Sequence, residues 1–84
     1  KAIVFVPPKY PPAAKREGIE GVVTAKFLID EKGNVLAVRI LKAPEFWGFD
    51  DAVRASLKRS KFTPAKLNNL PVRVWATQSL SFKL

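Results

Sequence analysis

Few residues in this 84-residue chain can do chemistry, and they are poorly grouped. Asp30 and Glu31 are adjacent carboxylates, as are Asp50 and Asp51. Paired acids can share protons in acid–base catalysis or hold a hard cation. Asp30 and Glu31, however, open the polar run Asp30-Glu31-Lys32-Gly33-Asn34, whose composition is that of a turn, where solvated acids are ordinary. Asp50 or Asp51 reads as a helix N-cap, its charge well placed against the helix dipole. Ser56 and Lys58 are two positions apart, and on a helix they face different sides, so no Ser–Lys dyad can form. The chain has neither histidine nor cysteine, which removes thiolate nucleophiles, disulfides, zinc sites and histidine-based dyads. Four scattered glycines make no phosphate-binding loop. With no convergent constellation left, the expectation is a non-enzyme that needs no cofactor or metal.

Charge and backbone remain. Fifteen basic residues against seven acidic ones give a net charge of +8, which favours anionic partners. Lys15 and Arg16, with Arg54, Lys58, Arg59 and Lys61, could track a phosphate backbone, and Trp47 or Trp75 could stack on bases. The solvent face and last turn of a helix are commonly basic, however, and nothing matches a nucleic-acid-binding motif, so nucleic acid is not the expected partner. No apolar run reaches the length of a membrane span. Opening at Lys1 without a Met, the chain reads as a domain excised from a longer protein.

The elements that must position any site follow from periodicity. Ala2 to Val6 is apolar and β-prone, an extra short N-terminal strand too brief for periodicity to settle. Pro7-Pro8-Lys9-Tyr10-Pro11-Pro12 is stiff and extended, each proline restricting itself and the residue before it. Pro11 and Pro12 suit the first turn of a short helix through Glu17, which Gly18 stops with Ile19 packing back. Gly21 to Asp30 alternates as a half-buried strand, with Val23, Ala25, Phe27 and Ile29 on one face. Gly33 supplies positive φ in the turn, and Val35 to Leu41 returns as the second strand of a hairpin. Val35 falls out of phase with Val38 and Ile40, which points to a bulge or to Val35 packing on the far side. After a loop from Lys42 to Gly48, the residues Phe49, Ala52, Val53, Ser56, Leu57 and Ser60 recur at helical spacing to about Lys61. Pro64 to Asn69 reads as a loop. From Val72 to Leu84 the chain alternates in one long strand, with Gln78 intruding on the apolar face. The order is α-β-β-α-β, and the fold class is α+β: a three-stranded, largely antiparallel sheet with two helices on one face.

These residues resemble the C-terminal domain of the TonB family. The likeness rests on Tyr10-Pro11-x-x-Ala14, Gly18-Ile19-x-Gly21-x-Val23-x-x-x-Phe27-x-Ile29-Asp30 and Gly33-x-Val35-x-x-Val38. It continues through Phe49-Asp50-x-Ala52, Phe62-x-Pro64-Ala65, Pro71-Val72-x-Val74 and Leu80-x-Phe82-x-Leu84. It divides the chain into an extended, proline-rich segment (1–9) and a TonB-type domain (10–84). Departures are Pro7-Pro8 where Gln-Pro is usual, Ser60 where an aromatic is common, Asn69 where Gly is common, and the 41–48 loop in place of small residues.

The resemblance implies a periplasmic adaptor, anchored to the inner membrane in the full-length protein. Such a domain binds the TonB box of an outer-membrane transporter by strand addition. It passes on force derived from the proton motive force, for uptake of nutrients such as siderophores. The inner-membrane proton-channel complex would engage the part of the protein upstream of this chain. The implied contact surface is Arg73, Val74, Trp75, Ala76, Thr77, Gln78, Ser79 and Leu80 on the last strand, with Pro8, Tyr10 and Pro11 before the first helix. A TonB-like or TolA-like linker or sensor is the alternative within the fold, and a basic nucleic-acid module the alternative outside it. An open edge also invites a homodimer by strand exchange. Two residues carry local alternatives: Tyr10 either docks a partner or staples the first helix to the sheet, and Trp75 either meets a partner or covers a helix. Ala2 to Val6 could itself pair with the last strand and occupy the partner's place.

Overall fold

The computed structural model describes residues 2–84; Lys1 lies outside them. Strand β1 (Ala2–Val4) leads through the prolines to helix α1 (Pro12–Arg16). The hairpin β2 (Gly21–Ile29) and β3 (Val35–Lys42) follows, then helix α2 (Phe49–Arg59). The short strands β4 (Lys61–Phe62), β5 (Ala65–Leu67) and β6 (Leu70–Val72) precede the long final strand β7 (Val74–Phe82). The main sheet is antiparallel in the order β3-β2-β7, so the last strand in the chain is an edge. The α+β class and the three-stranded sheet agree with the reading of the sequence.

Local chemistry accounts for these boundaries. Pro11 caps α1, Gly18 adopts φ +69°, and the Ile19 and Gly18 amides donate to the Ala14 and Lys15 carbonyls at 2.8 and 3.3 Å. That pair of bonds is a Schellman stop. The hairpin turn is organised by Asp30, whose Oδ1 accepts the Lys32 and Asn34 amides at 2.9 and 2.8 Å. Gly33 there takes φ +88°, and it must be glycine for a second reason: an added Cβ would lie 2.0 Å from the Phe62 carbonyl oxygen.

Val35's phase error is a bulge. Ile29 pairs with Val35 while Leu28 pairs with Ala37, so Leu36 is the extra residue and Val35 returns to the core side, half-buried. Leu41 is extra in the same way between Ile40 and Lys42.

One core lies between the sheet and the helices. Val23, Ala25, Phe27 and Ile29 of β2 meet Val38 of β3, Leu80 and Phe82 of β7, Ala14 of α1, and Phe49, Val53 and Leu57 of α2. Burying each large side chain contributes about 1.5–3 kcal/mol. Aromatic contacts gather at two places. Phe49 packs at a tilt 4.6 Å from Phe82, with Tyr10 edge-on to both at 5.9 and 5.6 Å, while Phe27 and Phe62 meet at 5.1 Å.

Four expectations are corrected. Neither Asp50 nor Asp51 caps α2: Gly48, at φ +82°, is the N-cap, and both acids sit in the first turn because the buried Phe49 is already helical. The helix ends at Arg59, since Ser60 turns extended and leads into β4. Pro64 to Asn69 is not simply a loop: Ala65–Leu67 pairs with Leu70–Val72 around Asn68-Asn69, both at positive φ, the requirement of a tight type I′ hairpin turn. Val72 therefore belongs to β6, and the last strand begins at Val74, not Val72.

Candidate peptide-binding edge

Strand β7 pairs with β2 along its whole length, from Gly21 opposite Phe82 to Ile29 opposite Val74. Its other edge meets no strand among the described residues. In an antiparallel ladder, alternate residues turn both N–H and C=O away from the partner. The outer edge of β7 is thus a row of donors and acceptors spaced to receive another extended chain.

The segment Phe5–Tyr10 borders this edge on the core side. It is anchored first by β1, which pairs antiparallel with β4 through Ala2–Phe62 and Val4–Lys61. Next, the Val6 amide donates to Ser60 Oγ at 3.0 Å, and the Ser56 hydroxyl donates to the Val6 carbonyl. Ser60 in turn donates to the Ser56 carbonyl at 2.8 Å. Finally, the Tyr10 hydroxyl donates to the Ile19 carbonyl, and burial, followed by the charge of Glu20, pushes its ionisation upward.

Between the segment and β7 lie two hollows. One, of about 410 Å³, is lined by Phe5, Pro7, Pro8, Tyr10 and residues 78–82. The other, of about 340 Å³, is lined by Phe5, Phe27, Ile29, Phe62, Ala76, Thr77 and Gln78. Phe5 and Gln78 belong to both.

The structure brings together much of the sequence-derived set. Pro8, Tyr10, Ala76, Thr77, Gln78, Ser79 and Leu80 all line the hollows. Tyr10 also staples α1 to the sheet through Phe49 and Phe82, the structural one of its two alternatives, while still lining the first hollow. Gln78 is exposed, which resolves its place: the strand leaves the core there instead of burying an amide. Ser79 shares a 2.9 Å hydroxyl bond with Thr24. Four residues stand apart. Pro11 caps α1 beside Gly48. Arg73 precedes β7 and pairs with Glu31 at 3.1 Å, while Val74, next along the chain, lines neither hollow. Trp75 covers no helix. It lies on the opposite sheet face, with Lys26 Nζ at 5.1 Å and the Arg39 guanidinium at 5.9 Å from its ring.

Ala2–Val4 does not pair with the last strand; its ladder is with β4, and the β7 edge stays open. The role of Phe5 beside that edge, and of Ser56 and Ser60 as anchors for Val6, escaped the sequence reading. Two serines on an otherwise apolar helical stripe were the available signal. The basic residues do not form one track either, because Arg54 is turned inward to donate to the Val38 carbonyl at 2.8 Å.

Known proteins are similar to this chain in sequence and fold. The family described as Gram-negative bacterial TonB protein C-terminal matches residues 6–84. A Protein TonB of Vibrio cholerae is 32% identical over 79 residues, 94% of this chain and 32% of that protein. One of Xanthomonas campestris is 37% identical over 62 residues, covering 74% and 28%. One of Pseudomonas aeruginosa is 32% identical across the whole chain and 25% of its own length. The chain thus spans between a quarter and a third of these relatives. The solution structure of the Pseudomonas aeruginosa TonB C-terminal domain superposes with a TM-score of 0.83 at 31% identity, covering 100% of this chain and 85% of that one.

Proposed function

The chain belongs to the TonB C-terminal family, and on that premise we propose that it is the periplasmic adaptor of an inner-membrane-anchored energy transducer. It takes an extended peptide from an outer-membrane transporter, the TonB box, as a fourth strand on the outer edge of β7. The role is mechanical and not catalytic, and the energy comes from a proton-channel complex that engages the rest of the protein. The unpaired β7 edge, bordered by the Phe5–Tyr10 groove, is the observation that carries this reading.

The ladder suits a load. Tension along an added strand passes into β7 and then into β2 across nine register pairs. Force directed along antiparallel strands loads their hydrogen bonds together, whereas force across them breaks the bonds one at a time. The adjoining core then spreads the load into α2.

Proline substitutions test the edge. Of Thr77→Pro and Gln78→Pro, one removes an N–H facing β2 and unsettles the ladder, while the other removes an N–H facing solvent. The second should keep the native NMR spectrum and lose binding of a TonB-box peptide, with the matching alanine variant losing far less. Binding is measured where sedimentation shows a monomer, because strand exchange between copies would use the same edge. Retained affinity in both proline variants would refute strand addition.

A further inference from the structure

We propose that Phe5 is a specificity-determining residue for the added strand: it divides the groove beside β7 so that the strand is chosen for apolar side chains at positions i and i+4 and a small one at i+2. The inference rests on the strand-addition reading and deepens it. A strand added to β7 lies about 4.8 Å from it, and its side chains alternate between the two sheet faces. Those on the core face enter the space between β7 and the Phe5–Tyr10 segment. Along β7, the core-face positions Ala76 and Leu80 lie one in each hollow, four residues or about 13 Å apart. Core-face side chains of the added strand recur every ~6.6 Å, so three fall within that span. The outer two meet the hollows. The middle one meets the partition that Phe5 and Gln78 form, since both residues line both spaces.

The chemistry of the hollows sets the preference. One presents Phe27, Ile29, Phe62 and Ala76; the other presents Pro8, Tyr10, Leu80 and Phe82. Along β7 the linings also carry the uncharged polar residues Thr77, Gln78, Ser79 and Ser81, and neither holds a charged residue among the described residues, so each favours an uncharged side chain with an apolar body. Phe5 is held from both sides, by the β1–β4 pairing before it and the Val6 bonds to Ser56 and Ser60 after it. It is still 41% exposed, leaving surface for the added strand to cover. The pattern reads the same in both directions, so it holds whether the strand adds parallel or antiparallel.

The test uses the 84-residue chain and fluorescein-labelled heptapeptides. The parent is Thr-Val-Thr-Ser-Thr-Val-Thr, a second peptide replaces Ser by Phe, and a third carries N-methylated backbone amides. Wild-type protein should bind the parent roughly tenfold tighter than the Phe peptide, and Phe5→Ala should reduce that ratio to about twofold. Phe5→Leu should give an intermediate ratio and serves if Phe5→Ala does not fold. An unchanged ratio in whichever variant folds overturns the role of Phe5. The N-methylated arm separates the two claims. If that peptide binds as well as the parent, or if no peptide binds, strand addition itself fails. If N-methylation abolishes binding while the ratio ignores Phe5, only the present inference falls.

Discussion

Gly33→Ala and Gly18→Ala make the same chemical change at two similar backbone angles, and the structure expects very different costs. Gly18 adopts φ +69° and Gly33 φ +88°, so each alanine meets the left-handed penalty of about 1 kcal/mol. At Gly18 the new Cβ would meet nothing within 4 Å among the described residues, and the penalty stands alone. At Gly33 it would lie 2.0 Å from the Phe62 carbonyl oxygen and 3.2 Å from the carbonyl carbon. Backbone cannot rotate away as a long side chain can, so β4 must move off the turn by more than an ångström. That breaks the 2.9 Å bond from the Phe62 amide to the Gly33 carbonyl, worth about 1 kcal/mol. It also loosens Phe62 against Phe27, at a further cost of about 1–2 kcal/mol. Gly33→Ala should therefore destabilise by roughly 3–4 kcal/mol, against a total near 4–12 kcal/mol for a domain of this size. Urea unfolding followed by Trp fluorescence measures both. With a slope of about 1 kcal/mol per molar, the midpoint should fall ~3 M for Gly33→Ala and ~1 M for Gly18→Ala. Equal shifts would refute the steric argument and with it the docking of β4 on the hairpin turn.

Two further outcomes are expected. Ser60→Ala removes the acceptor of the Val6 amide, so exchange protection at Val6 should fall, with a stability loss of about 1 kcal/mol; an unchanged Val6 exchange rate would contradict the anchoring of the segment. Asp30 is held below the usual carboxylate range first by the Asn34 amide, opposed by partial burial, and then by the Lys32 amide and the charge of Arg73. Its contribution is complete above the unfolded value of about 3.9 and is lost as pH falls through the lower folded value. Asp30→Asn should accordingly flatten the acid limb of a stability–pH curve below about pH 4; parallel limbs for the two proteins would remove Asp30 from the account of acid sensitivity.

Most of the fold was legible because most of it is specified locally. Gly18 stops α1 by a bond pattern confined to six residues, the alternation of β2 places four alternate residues in the core, and Val35's phase error announced the Leu36 bulge. Legibility ended where pairing is short and distant. β1 and β4 contribute three and two residues and join segments far apart in the chain, which leaves no periodicity to read. Asn68-Asn69 signals a tight hairpin less strongly than Asn-Gly, and Pro64 and Pro71 beside it read as breakers. The candidate site divided the same way. Alternation put Ala76, Gln78 and Leu80 on one face of β7, but alternation carries nothing about Phe5. Its position depends on two serine hydroxyls, 50 and 54 residues away from the Val6 they bind.

An open strand edge is ordinarily a hazard, because any extended chain can pair with it, including a second copy. Here the edge carries its own restraints. Thr77, Ser79 and Ser81 line its outer face with hydroxyls, Trp75 is held over the sheet by Lys26 and Arg39, and Lys83 places a charge past one end. Gln78 acts at the centre. Buried without a partner, its amide would cost about 1–3 kcal/mol; exposed, it escapes that cost. A leucine there would join Ala76 to Leu80 and Phe82 in one unbroken apolar strip along an unpaired edge, the arrangement most prone to indiscriminate pairing. With Gln78 and Phe5 between them, the apolar surface is split into two separate spaces, and a chain must place side chains in both to gain from them. On the proposed strand-addition reading, the polar residue that breaks the alternation of β7 belongs to the edge's selectivity, not to a fault in its core.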